Sequence, residues 1–279
     1  MNSNTPVRSW RIRHQETLTY RTRGGTPSIR IKFYTYPAYR QESRVIHAPS
    51  KCKLKKKGMN AFFSFQEIMG SRGRISLDRE IQVTPSPSFT SLNRDWGRIS
   101  TLEHSITRKY ETPSEYWPLN SSMIQKTTEL DWFRDDNLCS WIRSISRHIV
   151  TKITERTALP TRLGAIKALK TGTGDCDEFT DLFVTFARAR GIPARRLTGF
   201  TVSQDSLIPH AWAEVFSPIL GWIPIDLARN AIGRHSPEYI ILKIEEFRAE
   251  IPDYRASAQH SSEVRFHWER PDPVAIPVI

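Results

Sequence analysis

The sequence predicts a mixed fold, in which a β-rich N-terminal region precedes a region of helices and an antiparallel hairpin. Apolar and polar residues alternate over much of residues 15–90, which is typical of half-buried strands. From about residue 120 the apolar residues recur every three or four positions, as in amphipathic helices. After residue 205 two alternating segments flank a turn. We therefore expect two domains, a basic β-rich region with a linker at 1–100 and a second domain at 101–279.

The strands of the N-terminal region are predicted from period-two patterns. Residues 28–36 (SIRIKFYTY) alternate clearly, residues 18–20 form an earlier segment, and residues 60–65 (NAFFSF) suit another strand. Gly24 and Gly25 favour a turn. Residues 84–91 (TPSPSFTS) are expected to form a linker without regular structure, because two prolines interrupt them.

Two helices are predicted before the first chemically informative motif. One amphipathic helix places its apolar residues at spacings of three and four: Leu138, Trp141, Ile142, Ile145, Ile149 and Ile153. A shorter helix is expected from Leu163 to Leu169, ending near Gly172.

A third helix is predicted to begin at a cysteine. In GTGDCDEF (172–179), Asp175 and Glu178 have the form of a capping box, which makes Cys176 the first helical residue. The helix N-terminus favours a thiolate and can stabilise an oxyanion. Asp175 and Asp177 oppose thiolate formation, so a cationic partner is required. A purely structural cysteine is the alternative, whereas a calcium loop is excluded because Phe179 and Thr180 occupy ligand positions.

The predicted hairpin supplies candidates for that partner. In PHAWAEVF (209–216), His210 and Trp212 share one face, and two alanines on the other face are expected to pack against the cysteine helix. If Phe216 pairs with Trp222, His210 and Asp226 lie diagonally adjacent on one face, about 7 Å apart. A register one residue shorter would separate them.

These three residues make a coherent set for nucleophilic catalysis. His210 would accept the proton of Cys176, and Asp226 would orient the imidazole and stabilise its positive charge. Each residue also has a structural alternative, since a histidine beside tryptophan is often part of a core and an aspartate at a strand end often caps a turn.

Four motifs, in order, resemble the core of the transglutaminase-like superfamily: GDCDEF (174–179), ARGIPARRLTGF (189–200), HAWAEV (210–215) and GWIPID (221–226). The resemblance implies a papain-like α+β fold, with the cysteine helix packed on an antiparallel sheet and a β-rich domain before it. It also implies a triad of Cys176, His210 and Asp226, and no metal or cofactor is expected.

The resemblance implies a thiol enzyme that attacks glutamine or peptide-bond carbonyls of proteins or peptides through a thioester. An amine would resolve the thioester in a transglutaminase, and water would resolve it in a cysteine protease or deamidase. The alternative is a non-catalytic binding protein that docks an anionic partner through its basic N-terminal region.

Charge supports that alternative, because the excess is concentrated at one end of the chain. The net charge is +12, and residues 1–60 account for all of it, with 14 Lys or Arg against Glu16 and Glu42. The densest part, Lys51–Lys57 (KCKLKKK), is expected to meet an anionic partner or to form a solvated loop.

Composition excludes several other classes of protein. Three scattered cysteines give neither a disulfide framework nor a zinc site. No apolar run could span a membrane, and the first 20 residues lack the apolar core of a secretory signal, so a cytoplasmic location is expected.

Overall fold

The structure is a computed structural model that describes residues 8–23, 25–156, 161–203, 206–247, 254–259 and 263–278. Gly24, half of the predicted glycine turn, lies outside these residues. The described residues form the strands β1 (Ser9–His14), β2 (Thr17–Thr22), β3 (Ser28–Thr35), β4 (Gln41–His47), β5 (Lys53–Lys57), β6 (Asn60–Ile68), β7 (Arg72–Ser76), β8 (Arg79–Pro85), β9 (Ser88–Phe89), β10 (Thr154–Glu155), β11 (Thr173–Gly174), β12 (Ala194–Ser203), β13 (Ser206–Ser217), β14 (Gly221–Asp226), β15 (Ala231–Ile232), β16 (Arg234–His235), β17 (Tyr239–Glu245), β18 (Tyr254–Gln259), β19 (Val264–Glu269) and β20 (Val274–Val278). The helices are α1 (His104–Thr107), α2 (Ser122–Thr128), α3 (Leu138–Lys152), α4 (Ala165–Thr171) and α5 (Cys176–Ala189).

The N-terminal region is β-rich, as predicted, and its strands form three antiparallel sheets. Their strand orders are β20-β1-β8-β4, β18-β3-β6-β5 and β19-β2-β7. Alternating residues such as Ile31, Phe33 and Phe63 point inward and bury a common apolar core. One strand of each sheet comes from residues 254–278, which the sequence did not associate with this region. The domain boundary near residue 100 stays a prediction.

Two segments of the N-terminal region differ from expectation. Residues 84–91 were expected to be irregular, but Thr84 and Pro85 complete β8, and Ser88–Phe89 pair with β16. Proline is tolerated here because it stands at the end of its strand. Most of the lysine-rich segment is an edge strand, β5, whose five residues are all exposed, rather than a loop.

The second half of the chain builds one antiparallel sheet with helices on one face. The strand order is β15-β14-β13-β12-β17. The three predicted helices are confirmed as α3, α4 and α5, and Gly172 ends α4 in the left-handed conformation, with φ at +65°. Ala213 and Val215 of β13 pack with the apolar sides of these helices. Among the described helices, none has the length and hydropathy needed to cross a bilayer.

The N-terminal region contacts this sheet along its edge strand, β17. The side-chain amide of Gln41 pairs with both the N–H and the C=O of Ile241, each at 2.8 Å. The amide of Asn60 does the same to Ile244, at 2.7 Å. A bulge in β17, opposite Thr198 and Gly199, inserts one extra residue into the strand. Ile241 and Ile244, which are three residues apart, therefore present their backbone groups to the same edge. The free edge is therefore occupied by two amide side chains.

Candidate active site

The N-terminus of α5 is built by the capping box that the sequence predicts. The Asp175 carboxylate accepts the N–H of Asp177 at 2.9 Å, and Glu178 accepts the N–H of Asp175 at 3.0 Å. Cys176 is thus the first residue of the helix, as predicted. Gly174 leaves the space that Glu178 fills, since a Cβ there would lie 2.4 Å from the Cβ of Glu178. The cysteine position is fixed because side-chain carboxylates accept the N–H groups of both of its neighbours.

The hairpin has the register that brings the predicted histidine and aspartate together. Phe216 pairs with Trp222, as expected. Nε2 of His210 lies 2.7 Å from Oδ2 of Asp226. Both residues are buried, with 7% and 1% of their surfaces exposed. The structure therefore confirms the register and joins two of the three predicted residues.

Asp226 has two further hydrogen bonds that hold its carboxylate in place. The Tyr239 hydroxyl donates to Oδ2 at 2.6 Å, and the backbone N–H of Arg229 donates to Oδ1 at 3.1 Å. The His210 ring stacks on Trp212, with centroids 5.9 Å apart, and lies at the same distance from Tyr239. Rotation of the imidazole is thus restricted by two aromatic rings and one carboxylate.

Cys176 lies beside the strand that carries the histidine. Helix α5 packs on the alanine face of β13, as predicted, and the backbone amide of Ala211 faces the sulfur. The half-buried thiol is therefore next to the residue that follows His210. Among the hydrogen bonds of the described residues, none joins Sγ to the imidazole. Catalytic contacts are often long in an enzyme without substrate.

The surroundings of Cys176 keep its thiol protonated unless a cation joins it. Burial, and then the negative charge of Asp177, raise its pKa to about 12, and the Ala211 amide and Arg196 oppose this change only partly. The sequence-based expectation that the helix N-terminus lowers the pKa is thus outweighed by burial. A thiolate at this position depends on an imidazolium beside it.

Two further residues of the site were not assigned a role from the sequence. Tyr239 comes from β17 and reaches Asp226 across the sheet. Arg196 holds the start of α5, since its guanidinium contacts the Asp177 carboxylate at 2.5 Å and the Asp177 carbonyl at 3.3 Å. Arg196 lies within one of the quoted motifs, but nothing in the local pattern shows which acid it meets.

The two aspartates that flank the thiol, Asp175 and Asp177, bind other groups of the protein. One ligand atom each from Asp175, Cys176 and Asp177 lies within 4.8 Å of the others. Oδ1 of Asp175 caps the helix, however, and Oδ1 of Asp177 binds Arg196. This donor set is therefore better suited to fixing the helix than to binding a cation.

The helix that begins with cysteine, packed on an antiparallel sheet with a buried His–Asp pair, defines a papain-like α+β protein. Residues 128–227 match the model of the transglutaminase-like superfamily. No curated protein sequence matches the chain.

One solved structure extends the likeness to most of the chain at the level of the fold. The chain is similar to a proposed cysteine protease from Cytophaga hutchinsonii, with a TM-score of 0.61 and 15% identity over 96% of this chain and 92% of that one. It is also similar to the periplasmic domain of TgpA from Pseudomonas aeruginosa bound to ethylmercury, with a TM-score of 0.44 and 14% identity over 82% and 92%.

Proposed function

We propose that this protein is a thiol enzyme that attacks amide carbonyls in proteins or peptides. The observation that carries the proposal is the 2.7 Å contact between His210 and Asp226, formed one residue from the amide that faces the Cys176 sulfur. In this proposal Cys176 is the nucleophile, His210 is the general base and Asp226 orients the ring.

The chemistry follows from these assignments. His210 takes the proton of the thiol, and the sulfur forms a bond to the carbonyl carbon of the substrate. The imidazolium returns its proton to the nitrogen that leaves, as ammonia from glutamine or as an amine from a peptide bond. Water then yields an acid, or an amine yields a new amide, and either reaction frees the thiol. In this proposal the backbone N–H of Cys176, the first of α5, donates to the oxyanion.

The alternative is a binding protein without catalysis, which the exposed lysines of β5 favour. Alkylation of thiols by iodoacetamide between pH 5 and 9 separates the two functions. Burial raises the pKa of Cys52 to about 11 and raises that of Cys139 as well. Only a cysteine paired with imidazolium should therefore react at pH 6.

We expect fast labelling of Cys176 at pH 6 in the wild type and its loss in His210→Ala, with the adduct located by mass spectrometry. Equal, slow labelling of all three cysteines that rises only above pH 8 would contradict the enzymatic function.

A cytoplasmic location stays a prediction.

The outcome of the thioester is tested separately. Casein is incubated with a fluorescent amine, and both amine incorporation and ammonia release are followed. Incorporation indicates a transglutaminase, whereas ammonia or new peptide ends without incorporation indicate a hydrolase. The Cys176→Ala variant is the control for both readouts.

A further inference from the structure

The outward face of the sheet β18-β3-β6-β5 is strongly basic. Its inward residues, such as Ile31 and Phe63, belong to the apolar core. The register places Arg255, Lys32, Ser64 and Lys53 in one row across all four strands. None of the outward residues of these strands is acidic, and the cations among them are Arg30, Lys32, Lys53, Lys55, Lys57 and Arg255.

This arrangement raises the electrostatic energy of the fold. Arg255 stands directly opposite Lys32, and like charges in that position repel, with strands about 4.8 Å apart. Within the part of the chain that the structure describes, Arg30, Arg255 and the outward lysines of β5 take part in no ion pair. Lysines on an edge strand can serve to prevent aggregation. That role does not explain Arg30, which lies on the interior strand β3.

A pocket of about 280 Å³ opens at one end of this face. Lys32 and Lys57 line it together with the rings of Tyr34 and Phe62, and Nζ of Lys32 lies 4.3 Å from the Phe62 centroid. The carboxylate in the lining, Glu246, accepts the Tyr110 hydroxyl at 2.9 Å. The volume suits one side chain rather than a large cofactor.

The pocket is connected to the candidate active site through β17. Ile244 and Glu246, which line the pocket, flank Glu245, whose carboxylate lies 3.7 Å from Nε of Arg196. Arg196 in turn binds Asp177, the neighbour of Cys176. The pocket end of the basic face therefore lies at the end of β17 and is linked to the neighbour of the thiol through Glu245 and Arg196.

We infer that this basic face docks an acidic segment of the protein substrate, in an extended conformation along β5. Alternate residues of a strand repeat every 6.6–6.8 Å, so carboxylates on one side of such a segment match the interval between Lys53, Lys55 and Lys57. One acidic side chain enters the pocket beside Lys57. Single-stranded nucleic acid is a poorer match, since Tyr34 is buried and Lys32 covers the Phe62 ring.

The assignment of the partner as a substrate rests on the proposed function, but the binding test does not. Fluorescein-labelled peptides of alternating Glu and Ser, or of Gln and Ser, are titrated with the Cys176→Ala protein, and fluorescence anisotropy is followed at 50 and 300 mM salt. Lys53→Gln/Lys55→Gln/Lys57→Gln is compared with a control of equal charge change on exposed helical lysines, Lys126→Gln/Lys167→Gln/Lys170→Gln.

We expect the Glu peptide to bind and its affinity to fall as the salt concentration rises. The affinity should fall at least tenfold in the β5 variant and remain unchanged in the control variant. Equal losses in both variants would show a net-charge effect and overturn the inference. So would tighter binding of the Gln peptide, of a single-stranded oligonucleotide or of phosphatidylglycerol vesicles than of the Glu peptide. If the Glu peptide binds as expected but Cys176 of the wild type shows no reactivity at pH 6, the proposed enzyme is refuted and the docking surface is supported.

Discussion

Asp226 is the residue on which the geometry of the candidate site depends most. Its carboxylate contacts the His210 ring, the Tyr239 hydroxyl and the Arg229 amide while only 1% exposed. Three donors at a buried carboxylate leave it a single orientation, which fixes the imidazole in turn. The contact of Asp226 with His210 could be predicted from the hairpin register. The role of Tyr239 could not, because it lies on β17, which does not adjoin β14 in the sheet.

Removing the Tyr239 hydroxyl should slow the chemistry without abolishing it. Tyr239→Phe keeps the ring against Trp212 but removes a donor to a buried carboxylate, a loss of about 1.5–3 kcal/mol. We expect the rate of Cys176 alkylation at pH 6 to fall about tenfold, because a less fixed Asp226 stabilises the imidazolium less. Tyr116→Phe, outside the site, is the matched control. An unchanged rate at pH 6 would show that Asp226 is held well enough without the Tyr239 hydroxyl.

His235 should make the folded protein sensitive to mild acid. Burial, with the nearby charge of Arg40, lowers its pKa to about 3. Below pH 6.5 the unfolded chain binds a proton that the folded chain does not, so the stabilising contribution is complete above pH 6.5 and is lost as the pH falls toward 3. Between pH 7 and 5 we expect His235 alone to reduce the free energy of unfolding by about 2 kcal/mol.

Urea denaturation at the two pH values tests this expectation. His235→Phe should lose about 2 kcal/mol less than the wild type over that interval, since its side chain cannot be protonated. His14, whose pKa burial lowers to about 4, contributes equally to both proteins. His104→Phe, at an exposed position of α1, should retain the wild-type dependence. A wild-type dependence in His235→Phe would refute the assignment.

Among the elements, strands β12 and β17 approach each other closely at a glycine. Gly199 stands opposite His210 on one side and opposite Ile241 on the other, at the bulge. A Cβ at Gly199 would lie 1.9 Å from the carbonyl oxygen of Ile240. Only glycine lets the two strands approach this closely. The strand that carries Tyr239 therefore reaches the site because of a missing side chain.

Gly199→Ala should consequently destabilise the protein strongly. The added methyl group meets backbone atoms that cannot rotate away, so β17 must shift, at a cost of at least about 2 kcal/mol. Gly70→Ala is the matched control, because nothing lies within 4 Å of its added Cβ. Denaturant midpoints measure both variants. Equal midpoints would mean that the two strands are looser than the structure indicates.

The elements that the sequence predicted best are those with strong local signals. Helix α5 has a capping box at its start and a glycine after its end, and α3 has a continuous apolar stripe. Strand β5 was missed because four lysines in five residues give no alternation. Its conformation is imposed by pairing with β6, which is a tertiary effect.

In the whole molecule, the two regions are joined by hydrogen bonds that resemble those of a sheet. Gln41 and Asn60 satisfy four backbone groups on the edge of β17. Their replacement leaves buried donors and acceptors without partners, at about 1–3 kcal/mol each. No local pattern predicts this contact, since the partners lie 184 and 200 residues apart.

The double variant Gln41→Ala/Asn60→Ala should therefore lose about 3 kcal/mol or more in free energy of unfolding. We also expect calorimetry to resolve two transitions where the wild type has one, because the regions lose part of their coupling. Gln66→Ala/Asn120→Ala removes two exposed amides and should leave the wild-type profile unchanged. One unaltered transition in the first variant would indicate that other contacts couple the regions.

Pairing of strands from the two ends of the chain has a consequence for synthesis in the cell. Strand β1 lies between β8 and β20, with Ser9 opposite Val278. Strands β18, β19 and β20 are synthesised last, after all the strands with which they pair. The N-terminal sheets therefore remain incomplete while the cysteine helix and its hairpin are synthesised. Nascent chains stalled before residue 254 should thus require chaperones that cover open sheet edges.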